Sequence, residues 1–372
     1  MIYLNNAATT KKKPSKVFKA VNDFLTNLDV SPGRGSDSES IASDKIVSDA
    51  RISLAELFNL PDPNRIIFTL NATDSLNMVI KGYVRPGDHV IVSGMEHNSV
   101  IRPLRYLESA FDVRVTVVPS DDITKYLTKK TRLVAVLHAS NVTGEIYPIA
   151  DIGGICANAG VAFLADGAQS AGAFPIDLSK INVDFFAFSG HKALMGPQGT
   201  GGLYIKKGID IIPMRHGGTG TQSELEMQPD TYPDKYESGT PNTPGIAGLA
   251  EGVKYIITNK ENISNKEKAL IKMIHEGLDS IKNVKIYGSR DPKNKLPVVS
   301  FNIDGMNPKS VSAMLEKDFQ IVTRSGLHCS PLAHKSIGTF PLGTVRVSAG
   351  YYNTADEIKK LIRAIEYIAK RK

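Results

Sequence analysis

The chain has 372 residues, 41% apolar and 22% charged, with a formal charge of +7 and a pI near 9.1. That balance excludes disordered, collagen-like and coiled-coil chains, and the length suffices for two domains with a sizeable core. Two cysteines, Cys156 and Cys329, are too few for a disulfide framework and point to a reducing, cytoplasmic setting.

The opening MIYLNNAATTKKK has no apolar stretch suited to a signal peptide. Nowhere does an apolar run approach the ~18 residues of a membrane helix. Basic residues are scattered, apart from short clusters at Lys11–Lys13 and Arg371–Lys372. Such scatter reads as a solvated face, which argues against nucleic acid as a partner and leaves anionic small molecules as suitable ones. A first helix is expected over 43–59, where Ile46, Val47, Ala50, Leu54, Leu57 and Phe58 share a stripe. From 65 to 206, apolar runs at 65–70, 89–93, 113–118, 133–137, 161–165, 185–188 and 202–205 read as strands. Their hydrophobicity is continuous, as in strands buried on both faces of a parallel sheet. Helices are expected between them at 74–84, 100–110 and 149–159, so the fold class is α/β with a mostly parallel sheet between helices.

Residues 208–245 are rich in Gly, Pro, Thr and Ser and read as long ordered loops. Helices at 246–260 and 266–280, strands at 284–287 and 298–303, and a helix at 309–317 then follow. A loop at 323–337, a strand at 344–348 and a closing helix at 354–370 complete the chain. The expected division is a large α/β domain over 15–245 and a smaller α+β domain made of 1–14 and 246–372.

Ligands of open α/β sheets bind at the carboxyl ends of the strands. There the sequence sets Asn71-Ala72-Thr73-Asp74, Glu96-His97, Asn141, Asp166 with Gln169, and Gly190-His191-Lys192 before a Gly-rich run. The turn with Ala72 and Thr73 opens a helix, and its N–H groups with the Thr73 hydroxyl suit a phosphate; alternatively Thr73 simply caps the helix. A Lys shielded from water has a lowered pKa and can form a Schiff base, and Asp166 on a neighbouring strand end can hold a cationic ring nitrogen. Phosphate cradle, Lys192 and Asp166 together describe a site for pyridoxal 5′-phosphate (PLP).

The motifs SGHK (189–192) with GPQGTGGLYI, ADGAQS (165–170) and HASNVTGE (138–145) resemble those of class V, fold type I PLP-dependent enzymes. MEHNS (95–99), ESGTPNTPG (237–245) and RSGLHC (324–329) narrow the resemblance to the cysteine desulfurase and selenocysteine lyase branch. It covers essentially the whole chain, with the motifs in family order. The resemblance implies that Lys192 is the Schiff-base lysine, Asp166 pairs the pyridinium nitrogen, His97 stacks on the ring and Gln169 approaches its phenolic oxygen. Thr73, Ser189 and His191 would hold the phosphate, and Thr240 would reach it from the partner subunit of a homodimer. Asn141 and Arg346 would grip the substrate carboxylate.

Cys329 lies in a loop punctuated by Gly and Pro, with Arg324 and His328 nearby to favour the thiolate, whereas Cys156 reads as a packing residue. The activity implied is conversion of L-cysteine to L-alanine, with a persulfide formed on Cys329 and passed to a sulfur-acceptor protein or a thiol. A selenocysteine lyase or a class V aminotransferase would use the same Lys192. Three features depart from the usual pattern: Asp74 in the phosphate turn, one histidine rather than two before Cys329, and Arg102 just after the ring-stacking segment.

Overall fold

The computed structural model describes residues 1–33, 35–118 and 123–371, so Lys372 of the second basic cluster lies outside the described residues. The chain begins with β1 (Ile2–Tyr3), α1 (Ser15–Asn27) and α2 (Ser38–Phe58). Next come β2 (Ile66–Thr69), α3 (Ala72–Tyr83), β3 (His89–Ser93), α4 (Asn98–Phe111), β4 (Arg114–Val118), β5 (Thr131–Leu137), α5 (Ile149–Ala159), β6 (Ala162–Asp166), β7 (Phe185–Ser189) and β8 (Gly201–Ile205). After the long loops follow α6 (Thr243–Asp279), β9 (Val284–Tyr287), β10 (Val298–Ile303), α7 (Pro308–Phe319), β11 (Ile321–Val322), β12 (Arg324–Gly326), α8 (Pro331–Ser336), β13 (Thr344–Ser348) and α9 (Ala355–Lys370).

The seven strands β2 to β8 form one sheet in the order β2-β8-β7-β6-β5-β3-β4. Only β8 runs against its neighbours β2 and β7; the other pairings are parallel. Alternate side chains feed two cores. Phe185 and Ala187 pack with Leu76, Ile80 and Leu104 of α3 and α4 on one face. Phe186 and Phe188 pack with Leu54 and Phe58 of α2 and Leu249 of α6 on the other. Burial on both faces is the physical reason the other strands carry no polar alternation, whereas β4 at the sheet edge is partly exposed and alternates Arg114, Val115, Thr116 and Val117. Gly201 allows β8 to pass beneath the start of α3, because a Cβ there would sit 2.5 Å from Asn71 Cα.

The smaller sheet, β12-β13-β10-β9, is antiparallel, and β1 pairs with β11 in a separate two-stranded ribbon. Phe301, Val345 and Val347 pack there with Leu270, Ile274, Leu361 and Ile365. Two helices expected at 246–260 and 266–280 are one continuous helix, α6. Its first half (Ile246 to Ile263) packs into the large core and its second (Leu270 to Leu278) into the small one. The intervening residues 261–265 are polar except for Ile263, which is buried and carries the helix through them. The expected domain boundary at residue 245 therefore falls at the start of an element that both cores share. No helix of the described residues is long and apolar enough to cross a membrane.

Candidate active site

Because β2 runs parallel to β7, the carboxyl ends of β2, β3, β5, β6 and β7 open on one edge of the large sheet. A cavity of about 240 Å³ lies there, lined by Ala72, Thr73, His97, Asn141, Asp166, Gln169, Ser189, His191 and Lys192 among others. The structure thus brings together nine of the residues singled out in the sequence.

Local structure explains each placement. Asn71 caps α3 by accepting from Asp74 N at 3.1 Å, so Thr73 lies inside the first turn and is not the cap. Its hydroxyl instead meets Ser99 Oγ at 2.7 Å, while Ala72 N donates to Ser189 Oγ at 3.1 Å. The first turn of a helix has N–H groups with no partner inside the helix, which suits an anion. His97 caps α4: its Nδ1 accepts from Ser99 N at 3.1 Å, which leaves the proton of the neutral ring on Nε2. Burial, reinforced by Lys192, Arg324, Arg102 and Arg346, pulls the His97 pKa down to about 4, so the ring is neutral.

Asp166 ends β6, accepts from Ala168 N at 2.9 Å, and has its pKa raised by burial, with Lys192 partly opposing. Lys192 is pulled down to about 8, again chiefly by burial. A lysine so placed holds a substantial neutral fraction at physiological pH, as a nucleophilic amine requires. Gln169 donates to Ala7 O at 2.9 Å, and His191 Nδ1 meets Thr9 Oγ1 at 3.1 Å. The first ten residues thereby brace Gln169 and His191 from behind the cavity lining, a contribution not anticipated from the sequence; the polar pair Asn5-Asn6 after an apolar strand was the available signal.

Arg346, on β13, is 1% exposed, and burial pulls its pKa down to about 9. Nη1 donates to Asn141 O at 2.7 Å and Nη2 to Asn5 Oδ1 at 3.0 Å, but the buried Nε has no partner among the described residues. An orphaned donor on a buried cation is costly, and a buried guanidinium with a free donor is suited to an anion.

The Cys329 loop differs from expectation. Arg324 donates to Cys329 Sγ at 3.2 Å, but His328 turns inward, 2% exposed, with Nε2 3.1 Å from Thr344 Oγ1. Its pKa is held well below the ordinary value, first by burial and then by Arg346. The neutral, inward His328 does not supply charge to the thiol; Arg324 does. The expected loop at 323–337 also contains β12 and α8 around the turn. His328 and Cys329 are consecutive non-glycine residues at φ +49° and +61°, a conformation costing about 1–2 kcal/mol per residue. Cys156 is wholly buried in the large core, and burial raises its thiol to about 12, in keeping with a packing residue.

Thr240 does not join this cluster. It lines a different cavity with Leu70, Arg215 and Asn242. Exposed Arg102 lies close enough to act on His97 electrostatically. Glu96 follows the end of β3. It is wholly buried, accepts from Ser93 Oγ and from Leu137 N at 3.0 Å, and so ties the ends of β3 and β5 together.

With the geometry described, known proteins provide a comparison. The family described as Aminotransferase class-V matches residues 2–361. A probable cysteine desulfurase of Methanothermobacter thermautotrophicus is 36% identical, covering 99% of this chain and 94% of the relative. The apo structure of cysteine desulfurase from Thermococcus onnurineus NA1 superposes with a TM-score of 0.93 at 32% identity, covering 100% of this chain and 95% of that one. The Escherichia coli cysteine desulfurase CsdA (S-sulfonic acid) gives 0.87 at 27% identity, covering 99% and 94%. Identity at this level over whole chains shows that the chain belongs to the class-V aminotransferase family, among its cysteine desulfurases.

Proposed function

We propose that the protein binds PLP in the cavity at Lys192 and removes sulfur from L-cysteine, leaving L-alanine and a persulfide on Cys329. The observation that carries the reading is the pairing of Lys192, its pKa drawn down to about 8, with a loop thiol that Arg324 holds at 3.2 Å. The residues fit the cofactor: a helix start for a phosphate, a buried carboxyl for a ring nitrogen, an amine for an aldehyde, and a buried guanidinium with a free donor. When bound, PLP supplies a carbonyl for the substrate amine and a ring that takes up electrons from Cα.

The chain's own residues do the rest. Thr73 and the Ala72 turn, Ser189 and His191 hold the phosphate, with Thr240 supplied by a second copy of the chain in a homodimer. Its position outside this chain's own cavity supports that assignment. His97 would hold the cofactor ring, and Gln169 would hold its phenolic oxygen. Asp166 would hold the ring nitrogen as a cation, whose charge would offset the burial of the carboxylate and keep it ionised. Arg346 Nε and Asn141 take the substrate carboxylate, and Lys192 Nζ carries the Cα proton. Cys329 Sγ attacks the substrate sulfur. An S–S bond forms, the substrate C–S bond breaks, and its carbon receives the electron pair and a proton. The persulfide then passes to an acceptor protein or thiol in the cytoplasm.

The test is product analysis with L-cysteine and a thiol reductant: alanine and sulfide should appear in equal amounts. A requirement for an added 2-oxo acid, with no sulfide, would identify an aminotransferase instead. The Lys192 pKa adds a second expectation. PLP uptake by cofactor-free protein needs the neutral amine, so its rate should rise by about tenfold per pH unit below about 8 and level off above. Absorbance growth after mixing measures this, and a pH-independent rate would contradict it.

A further inference from the structure

Asn141 has a second use, visible on its side-chain amide. Nδ2 donates to His328 O at 2.7 Å, and Oδ1 accepts from Ser330 Oγ at 2.9 Å. One amide therefore clasps the residues on either side of Cys329. The turn it holds contains two consecutive left-handed non-glycine residues, a geometry that persists only when its surroundings over-determine it. Further ties come from Asn98 N, at the start of α4, which donates to Cys329 O at 2.8 Å, and from His328 Nε2 on Thr344. Ser330 is wholly buried. Although it precedes α8, its side chain makes no capping hydrogen bond, and the Asn141 carbonyl oxygen is its partner.

From this geometry we infer that Ser330 is a positioning residue for the Cys329 thiol, acting through Asn141, and that Asn141 couples the cavity wall to the sulfur-accepting loop. Nδ2 carries two hydrogens and His328 takes one, which leaves the other for a substrate carboxylate. Arg346 donates to the backbone oxygen of the same Asn141, so the carboxylate site and the thiol turn hang on one residue. A substrate seated at that amide is thereby placed in register with Cys329. Removing the Ser330 hydroxyl leaves Asn141 Oδ1 buried without its donor and frees the far side of the turn.

The inference rests on the desulfurase reading only for its turnover arm. The test compares wild type, Ser330→Ala and Ser330→Thr as PLP-loaded enzyme. In the resting state, iodoacetamide labels Cys329 alone, because Cys156 is wholly buried. Ser330→Ala should be labelled several-fold faster than wild type, and Ser330→Thr, which keeps the hydroxyl, at nearly the wild-type rate. With L-cysteine, sulfide production by Ser330→Ala should show kcat reduced about tenfold and KM within about twofold of wild type. Labelling and turnover both equal to wild type in Ser330→Ala would overturn the inference, as would a loss carried by KM alone. If wild type released no sulfide, the desulfurase reading would fall while the labelling arm still judged the brace. Should Ser330→Ala not fold, Asn141→Ala, which removes both clasping bonds, must show the faster labelling; wild-type labelling there would also overturn the inference.

Discussion

Lys192→Ala should purify without the yellow colour of bound PLP and should lose sulfide release by about 10³-fold or more, because attachment and proton transfer disappear together. The fold should survive. Lys192 holds its charge at a cost, its pKa drawn from 10.5 to about 8 by burial with only partial compensation from Asp166. Truncation to alanine relieves that cost, so the thermal midpoint of the cofactor-free variant should match or exceed that of cofactor-free wild type. Absorbance, sulfide release and a melting curve together check the expectation. A variant that stayed yellow after extensive dialysis and kept its turnover would contradict the role given to Lys192.

Arg346→Met should separate stability from function even more clearly. The guanidinium is 1% exposed, has one unpartnered nitrogen, and sits across the strand pair from a second cation, Arg324. Replacing it with an apolar side chain of similar length removes a desolvated charge but leaves Asn141 O and Asn5 Oδ1 without their donor, so the two effects oppose and the thermal midpoint should move little. Substrate recognition has no comparable escape. A carboxylate brought to the site would lose its guanidinium partner, and kcat/KM for L-cysteine should fall by about 10²–10³-fold, mostly through KM. Unfolding curves and steady-state kinetics on one preparation measure both effects. Loss of folding with retained kcat/KM would reverse the assignment.

The large sheet was legible because its strands, apart from the partly exposed edge strand β4, are buried on both faces and so read as apolar runs with helices between them. Polar residues at the ends of those runs stood out for the same reason, which is how Thr73, His97, Asn141, Asp166 and Lys192 could be grouped before any coordinates. Features set by distant partners were not legible. The helix α1 was missed because Val17 and Phe24 are buried by α6, far away in sequence, while Phe18 and Leu25 remain exposed. The strand β12 exists by pairing with β13, and its short sequence has no periodicity to read. His328 looked like a partner for the thiol because it is adjacent in sequence; the left-handed turn sends its ring inward, and backbone conformation of that kind is not written in residue type. Asn5, on which Arg346 rests, is separated from it by 341 residues.

The account turns on Cys329 as the residue that receives sulfur. The most direct measurement is one round of reaction with L-cysteine in the absence of reductant, followed by mass spectrometry of the peptide carrying Cys329. The peptide should gain the mass of one sulfur atom, with one alanine released per labelled Cys329. Cys329→Ala should bind PLP normally and release neither product at a rate above background. An unmodified Cys329 peptide after alanine has formed, or undiminished sulfide release by Cys329→Ala, would contradict the account.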